Sequence, residues 1–235
     1  MRFTNWRRRL AMGAVSMGTV ISLTLGLSFG LRAEDKKEAK EFITLFNGKD
    51  FSGWKFHLED KKADPAKTWS IKDEMIVCTG HPAGFVYTEK SYKDYVLVYD
   101  WQFPRPKDLT DDSKFDGNSG ALVHVIHPEK GVIGVWPNCV EVQGMNKRHG
   151  ELLFIPRAQG KGKYDIEARN KATKPVGEWN TTEILCKGSE VSAKINGTEV
   201  SSGKGELTEG FIGFQSEGSP VNFRNIKIRL LLRTK

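Results

Sequence analysis

Cysteine and histidine are scarce in this chain, three and five of 235 residues, and none sits at the paired spacing of a metal site. No nucleophile motif, Walker loop or paired-histidine helix is present, so nothing points to nucleotide chemistry or a motif-defined nucleophile. Cys78, Cys139 and Cys186 make an odd count, which leaves open one disulfide with a free thiol or three buried thiols. Acid is missing altogether before Glu34, whereas Arg2, Arg7, Arg8 and Arg9 precede an apolar run from Leu10 to Leu31. A basic start, an apolar stretch and small residues at Gly30 and Ala33 predict an export signal over 1–33. If uncleaved, the run is long enough to serve as a membrane anchor. Its boundary carries no cysteine, which argues against lipid attachment.

That segment holds five of the 36 basic residues and no acid, which leaves 31 basic against 29 acidic residues. The remainder is near neutral, and nothing in its charge predicts nucleic-acid binding. Residues 34–41 read as a charged linker, and 42–232 as one β-domain of about 200 residues, large enough for a real core.

Beyond the N-terminus no stretch sustains a 3.6-residue period, which argues against a helical fold. Short strand patterns recur instead: FITLF (42–46), TWSI and MIVCTG about Lys72-Asp73-Glu74, GFVYT (84–88) and YVLVYDWQF (95–103). SGALVHVIH (119–127), CVEVQG (139–144), KYDIEA (163–168), TEILCKG (182–188), EVSAKI (190–195), FIGFQS (211–216) and VNFRNIKIRLLL (221–232) follow. Asn196-Gly197 between SAKI and TEV is a strong hairpin signal, because both turn positions need positive φ. Roughly a dozen strands at this spacing predict an all-β jelly-roll sandwich with one concave sheet. Two connections, 104–117 and 144–163, are longer than hairpins need, and the second carries His149.

Alternation along a strand assigns each side chain to a face. Val140 and Val142 face the core, which turns Cys139, Glu141 and Gln143 the other way. By the same count His124 shares a face with Leu122 and Ile126, Asp100 opposes Tyr99 and Trp101, and Gln215 opposes Ile212 and Phe214. Single polar groups on several strands, with Trp136 beside them, suit a sugar: amides, carboxylates and imidazoles match hydroxyls, and rings stack on a pyranose. Taken singly, such residues are more often solvent-facing or structural. Trp54 and Trp179 read as core, and Arg224 as a structural bridge.

LFNGKDFSGW (45–54), WSIKDEMI (69–76), YKDYVLVYDW, Asn118-Ser119-Gly120, WPNCVEVQG, GEWN, ING and FQSEG…NFRNI occur in order. This ordered set resembles the family long called DUF1080 and now described as the 3-keto-disaccharide hydrolase, or 3-keto-glucoside lyase/hydratase, domain. The resemblance spans about residues 41–230 and implies a concanavalin A-like jelly roll and an exported bacterial protein. It also implies cleavage of 3-keto-glycosides by C2 deprotonation, loss of the C1 substituent and hydration. Such a site needs a base, a donor to the enolate oxygen and an acid at the leaving group.

On that reading Glu141 is the base or a metal ligand and His124 the acid/base, both at the metal if a divalent cation is bound. Asn118, Gln143, Asp100, Gln215, Glu217, Trp136 and His149 are the expected substrate contacts. The ligand is an oligosaccharide or 3-keto-glycoside. A non-catalytic carbohydrate-binding module on the same sandwich is the alternative. An ordinary two-carboxylate glycosidase ranks below both, since CVEVQG carries one carboxylate.

Overall fold

Alternation is the local rule that builds the sheets: the strand Tyr95–Gln102 buries Tyr95, Leu97, Tyr99 and Trp101 and leaves Val98, Asp100 and Gln102 on the far side. The computed structural model describes residues 41–156 and 159–232, so the export signal and nearly all of the charged linker lie outside the described residues. The strands are β1 (Ile43–Thr44), β2 (Trp54–Leu58), β3 (Trp69–Lys72), β4 (Met75–Cys78), β5 (Gly84–Thr88), β6 (Tyr95–Gln102), β7 (Gly120–Ile126) and β8 (Asn138–Gln143). They continue as β9 (Leu152–Ile155), β10 (Gly160–Tyr164), β11 (Asn180–Lys187), β12 (Glu190–Ile195), β13 (Thr198–Gly205), β14 (Phe211–Ser216) and β15 (Val221–Leu230).

Two antiparallel sheets result. One runs β10-β13-β12-β11-β6-β15-β4-β3, with β1 added on β15; the other runs β2-β5-β14-β7-β8-β9. Their inner faces share a core of Trp54, Val86, Val140, Val142, Ile212 and Phe214 on the second sheet against Trp69, Leu97, Tyr99, Ile184 and Ile228 on the first. Tyr99 meets Phe214 edge-on at 5.0 Å across the layer. This is the expected jelly-roll sandwich. All three cysteines are buried and free, which selects the thiol alternative.

Two hairpins follow their turn chemistry. Asp73 and Glu74 join β3 to β4 at φ 50° and 59°, and Asn196-Gly197 joins β12 to β13 at φ 48° and 86°. The Asn196 side chain also ties three segments: its Nδ2 donates to Ala172 O and Asn180 Oδ1, and its Oδ1 accepts from Thr181 N. Asn196→Ala loses those bonds and strains a left-handed residue, so it should cost about 3 kcal/mol in urea unfolding. A change below about half a kcal/mol would show the turn to be dispensable.

Four expectations need correction. KYDIEA is not one strand: β10 ends at Tyr164, and Asp165 caps the helix α1 (Ile166–Ala172) by accepting from Ala168 N at 2.9 Å. The connection 144–163 is not a plain loop, since it contains β9 and the start of β10. Trp179 is not core; its half-buried ring lies under the Arg224 guanidinium at 3.9 Å. Arg224 in turn approaches Asp100 on the outside of the larger sheet at 3.5 Å, and bridges no sheets.

Candidate active site

The outer face of the smaller sheet forms a grid set by strand register. His57, Phe85, Gln215, Gly120 and Gln143 stand in one row across β2, β5, β14, β7 and β8. Lys55, Tyr87, Gly213, Leu122 and Glu141 form the next. Phe85, Leu122, Val125, Cys139 and Ile155 make its apolar floor, with Tyr87, Trp136 and Phe211 packed against them. Glu141 therefore sits among hydrophobic groups with its Oε1 buried and unpartnered.

Gln215 explains Gly120. It is fully buried, and its Oε1 lies 2.4 Å from where a Cβ on Gly120 would stand, so the amide keeps this position only beside a glycine. Neither Gln215 amide atom has a well-formed hydrogen bond, although the amide lies near enough to Glu141 to favour its carboxylate form. Glu217, in the turn after β14, leaves Oε2 buried and unpartnered as well. The turn is fixed by Gly218 N donating to Gly80 O, and by Asn118 N donating to Ser219 Oγ. Asn118 Oδ1 is a further unpartnered acceptor. Buried polar atoms are nearly always paired, so this concentration marks a surface prepared for a polar ligand.

Electrostatics sets the proton count. Burial raises Glu217 to about 7. Burial first, and then the Glu217 charge, raises Glu141 to about 8, opposed by Gln215 and Arg148. Once Glu217 is ionised, its charge favours the protonated form of Glu141. Both carboxyls are thus raised toward neutral pH, the range in which a carboxyl can serve as acid or as base.

Six of the expected residues stay on the outer face or at its rim. Glu141, Gln215, Glu217 and Asn118 gather at one end. Gln143 supports them by accepting from Met145 N at 2.7 Å. Trp136 stands over Phe85 with ring centroids 6.5 Å apart.

Three residues do not join them. His124 lies in a bulge, at φ 52°, where the β7 register with both neighbours shifts. Val125 takes the outer position, and His124 turns inward onto Tyr95 at 6.2 Å, where burial lowers its pKa to about 4. The expected Glu141–His124 pair, as acid and base or as metal ligands, is therefore not formed. Among the described residues no group of three or more His, Cys, Asp or Glu could hold a metal ion.

His149 is stacked on Trp101 at 4.1 Å inside the sandwich, beside a void of about 10 Å³ with room for one water. Burial, then the Arg169 charge, lowers its pKa to about 3. Asp100 belongs to the outer face of the larger sheet, where its carboxylate accepts from Thr181 Oγ1 at 2.7 Å and Asn225 Nδ2 at 2.6 Å.

Two contributors escaped the sequence reading. Arg148, held by Glu151 at 2.6 Å, is the cation that acts on Glu141. Its signal was an Arg-x-x-Glu spacing in a basic loop. His57 stacks on Phe85 at 5.2 Å and receives Lys61 Nζ at 2.9 Å from Nε2. Alternation in WKFHL would have placed it on this face.

Known proteins share this arrangement of sheets. The chain is 26% identical to the 3-keto-disaccharide hydrolase of Bacteroides thetaiotaomicron over 245 aligned positions, covering 83% of this chain and 80% of that protein. A Parabacteroides distasonis structure provisionally named a glycosyl hydrolase superposes with a TM-score of 0.58 at 26% identity, covering 86% and 98% of the two chains. A galectin-like protein from Bacillus subtilis shares the fold alone, at a TM-score of 0.51 and 12% identity, covering 83% and 96%. The family described as the 3-keto-alpha-glucoside-1,2-lyase-like domain matches residues 41–229, and the chain belongs to it.

Proposed function

We propose that this chain cleaves 3-keto-glycosides by elimination and hydration at Glu141, Glu217 and Gln215, and that it is an exported protein. The single observation carrying the reading is the gathering of two carboxyls, Glu141 and Glu217, each with a buried unpartnered oxygen, with the unpartnered Gln215 amide. A ketone at C3 acidifies the C2 proton. Glu217, the less strongly raised of the two carboxyls, removes it, and the electron pair forms an enolate across C2 and C3. A Gln215 N–H donates to the enolate oxygen. The enolate then re-forms the ketone as the C1–O bond breaks, and the departing oxygen takes the proton from Glu141. Water adds at C1 of the resulting enone while C2 regains a proton, so the net change is hydrolysis. The basic and apolar segment of residues 2–31 supports export.

The test is turnover of a 3-keto-glucoside with a chromogenic leaving group, run beside the unoxidised glucoside and with chelator. Release from the keto compound alone is the expected result. Saturable binding of both sugars with release from neither would replace the enzyme with a binding module.

Gly120→Ala should displace the Gln215 amide and lower kcat by about 100-fold, since misplacing a reacting group by about 1 Å costs that much. Full activity in this variant would remove Gln215 from the mechanism.

A further inference from the structure

Beyond the carboxylate end, the same sheet face carries a groove of about 550 Å³, within the usual range of small-molecule sites. Lys55 and Tyr87 line it from β2 and β5, Glu89 from just past β5, Phe211 from the start of β14 and Glu209 from the connection before it. The first residues of the 127–137 connection, His127 to Glu129, form its wall. Tyr87 and Phe211 are half-buried and meet edge-to-face at 5.8 Å, so each presents part of a ring to the groove.

Register ties this groove to the carboxylates. Tyr87, Gly213, Leu122 and Glu141 are neighbours in a single row, three strand spacings or about 14 Å from end to end. Val125 belongs both to the groove and to the apolar floor that carries Cys139 and Leu122. Gly213 adds no side chain between Tyr87 and Leu122, which leaves the row open. A single sugar ring held at Glu141 does not reach the aromatic pair.

Charge narrows the ligand. Glu89, Glu129 and Glu209 face Lys55, with His127 at 3.6 Å from Glu129 and Lys93 at 4.0 Å from Glu209. Carboxylates outnumber the lysines here, so the groove disfavours uronic acids and sulfated sugars.

We propose that the Tyr87–Phe211 groove is a distal sugar subsite that stacks a neutral hexopyranose ring of the same substrate chain, making this a protein for oligosaccharides longer than a disaccharide. The proposal rests on the sugar-cleaving reading for its chemistry, but its binding half stands apart from catalysis.

The experiment therefore has two arms. Calorimetric titration with unoxidised neutral gluco-oligosaccharides of increasing length should show affinity rising once the chain spans the row. Phe211→Leu keeps the packing and removes the flat face; with Tyr87→Ala it should weaken the longer oligomers about 10-fold and leave the disaccharide unchanged. Length-independent affinity, or variants that bind as the parent does, would overturn the subsite, as would equal binding of uronate oligomers.

The second arm measures kcat/KM on 3-keto substrates of the same lengths. The same variants should lower it for long substrates and spare the chromogenic 3-keto-glucoside. Turnover of no keto substrate, alongside the expected length-dependent binding, would refute the catalytic reading and leave the subsite standing.

Discussion

Glu141→Gln is expected to lower kcat/KM on a 3-keto-glucoside about 1,000-fold while making the folded protein harder to unfold at neutral pH. The first effect follows from removing a positioned proton donor, which is worth about 100- to 10,000-fold. The second follows from burial: Glu141 is 5% exposed and leaves an oxygen unpartnered, so ionisation places near the floor of the sheet a charge that Gln215 and Arg148 only partly offset. Glutamine keeps the volume and sheds the charge. Steady-state kinetics and thermal unfolding on one preparation separate the two effects. An inactive protein that also melts lower would point to structural damage, and an active one would end the role of Glu141 in catalysis.

Stability should respond to pH through two opposed limbs, each reducible by one substitution. Raised carboxyls favour folding below their ordinary pKa of 4.5, and that contribution is lost as pH climbs through about 7 for Glu217 and about 8 for Glu141. Depressed imidazoles work the other way. Stability held above 6.5 is lost as pH falls toward about 4 for His124 and about 3 for His149. The parent should be most stable near the middle of these windows, around pH 5 to 6.

Glu141→Gln should remove the Glu141 share of the alkaline limb, so its advantage over the parent grows by about 4 kcal/mol between pH 4 and pH 8. His149→Phe keeps a ring against Trp101 and deletes two nitrogens that lack a well-formed bond, the Gly144 backbone being a group that acts on them. Its advantage should grow by about 3 kcal/mol from pH 7 down to pH 4. Denaturant unfolding across pH reads both. Parallel pH profiles for parent and variants would show that these groups ionise alike in the folded and unfolded chain.

The sandwich was legible in the sequence because its signals are local. Alternation in YVLVYDWQF, the Asn196-Gly197 turn and the inward Val140 and Val142 each state their own conformation. Glu141 and Gln215 were legible for the same reason, lying on regular stretches where counting by two holds. His124 was not, because a left-handed residue inside the strand breaks the count. His149 was not, because it follows a turn, where no period assigns a side chain to a face. Arg148 acts on Glu141 from that same turn, and only the folded arrangement of β8 and its following connection brings them together.

The bulge at His124 is in effect a frameshift in a two-letter code. Upstream of it even-numbered residues of β7 read outward, as Leu122 does; at Val125 an odd-numbered residue does. A relative without the bulge would carry its outward residues one position out of phase, so aligning the two by column would pair a residue of the sugar face with one of the core. Comparisons across this strand should be indexed by the face each residue occupies, and a lost or gained imidazole at this column says nothing about chemistry until its frame is known.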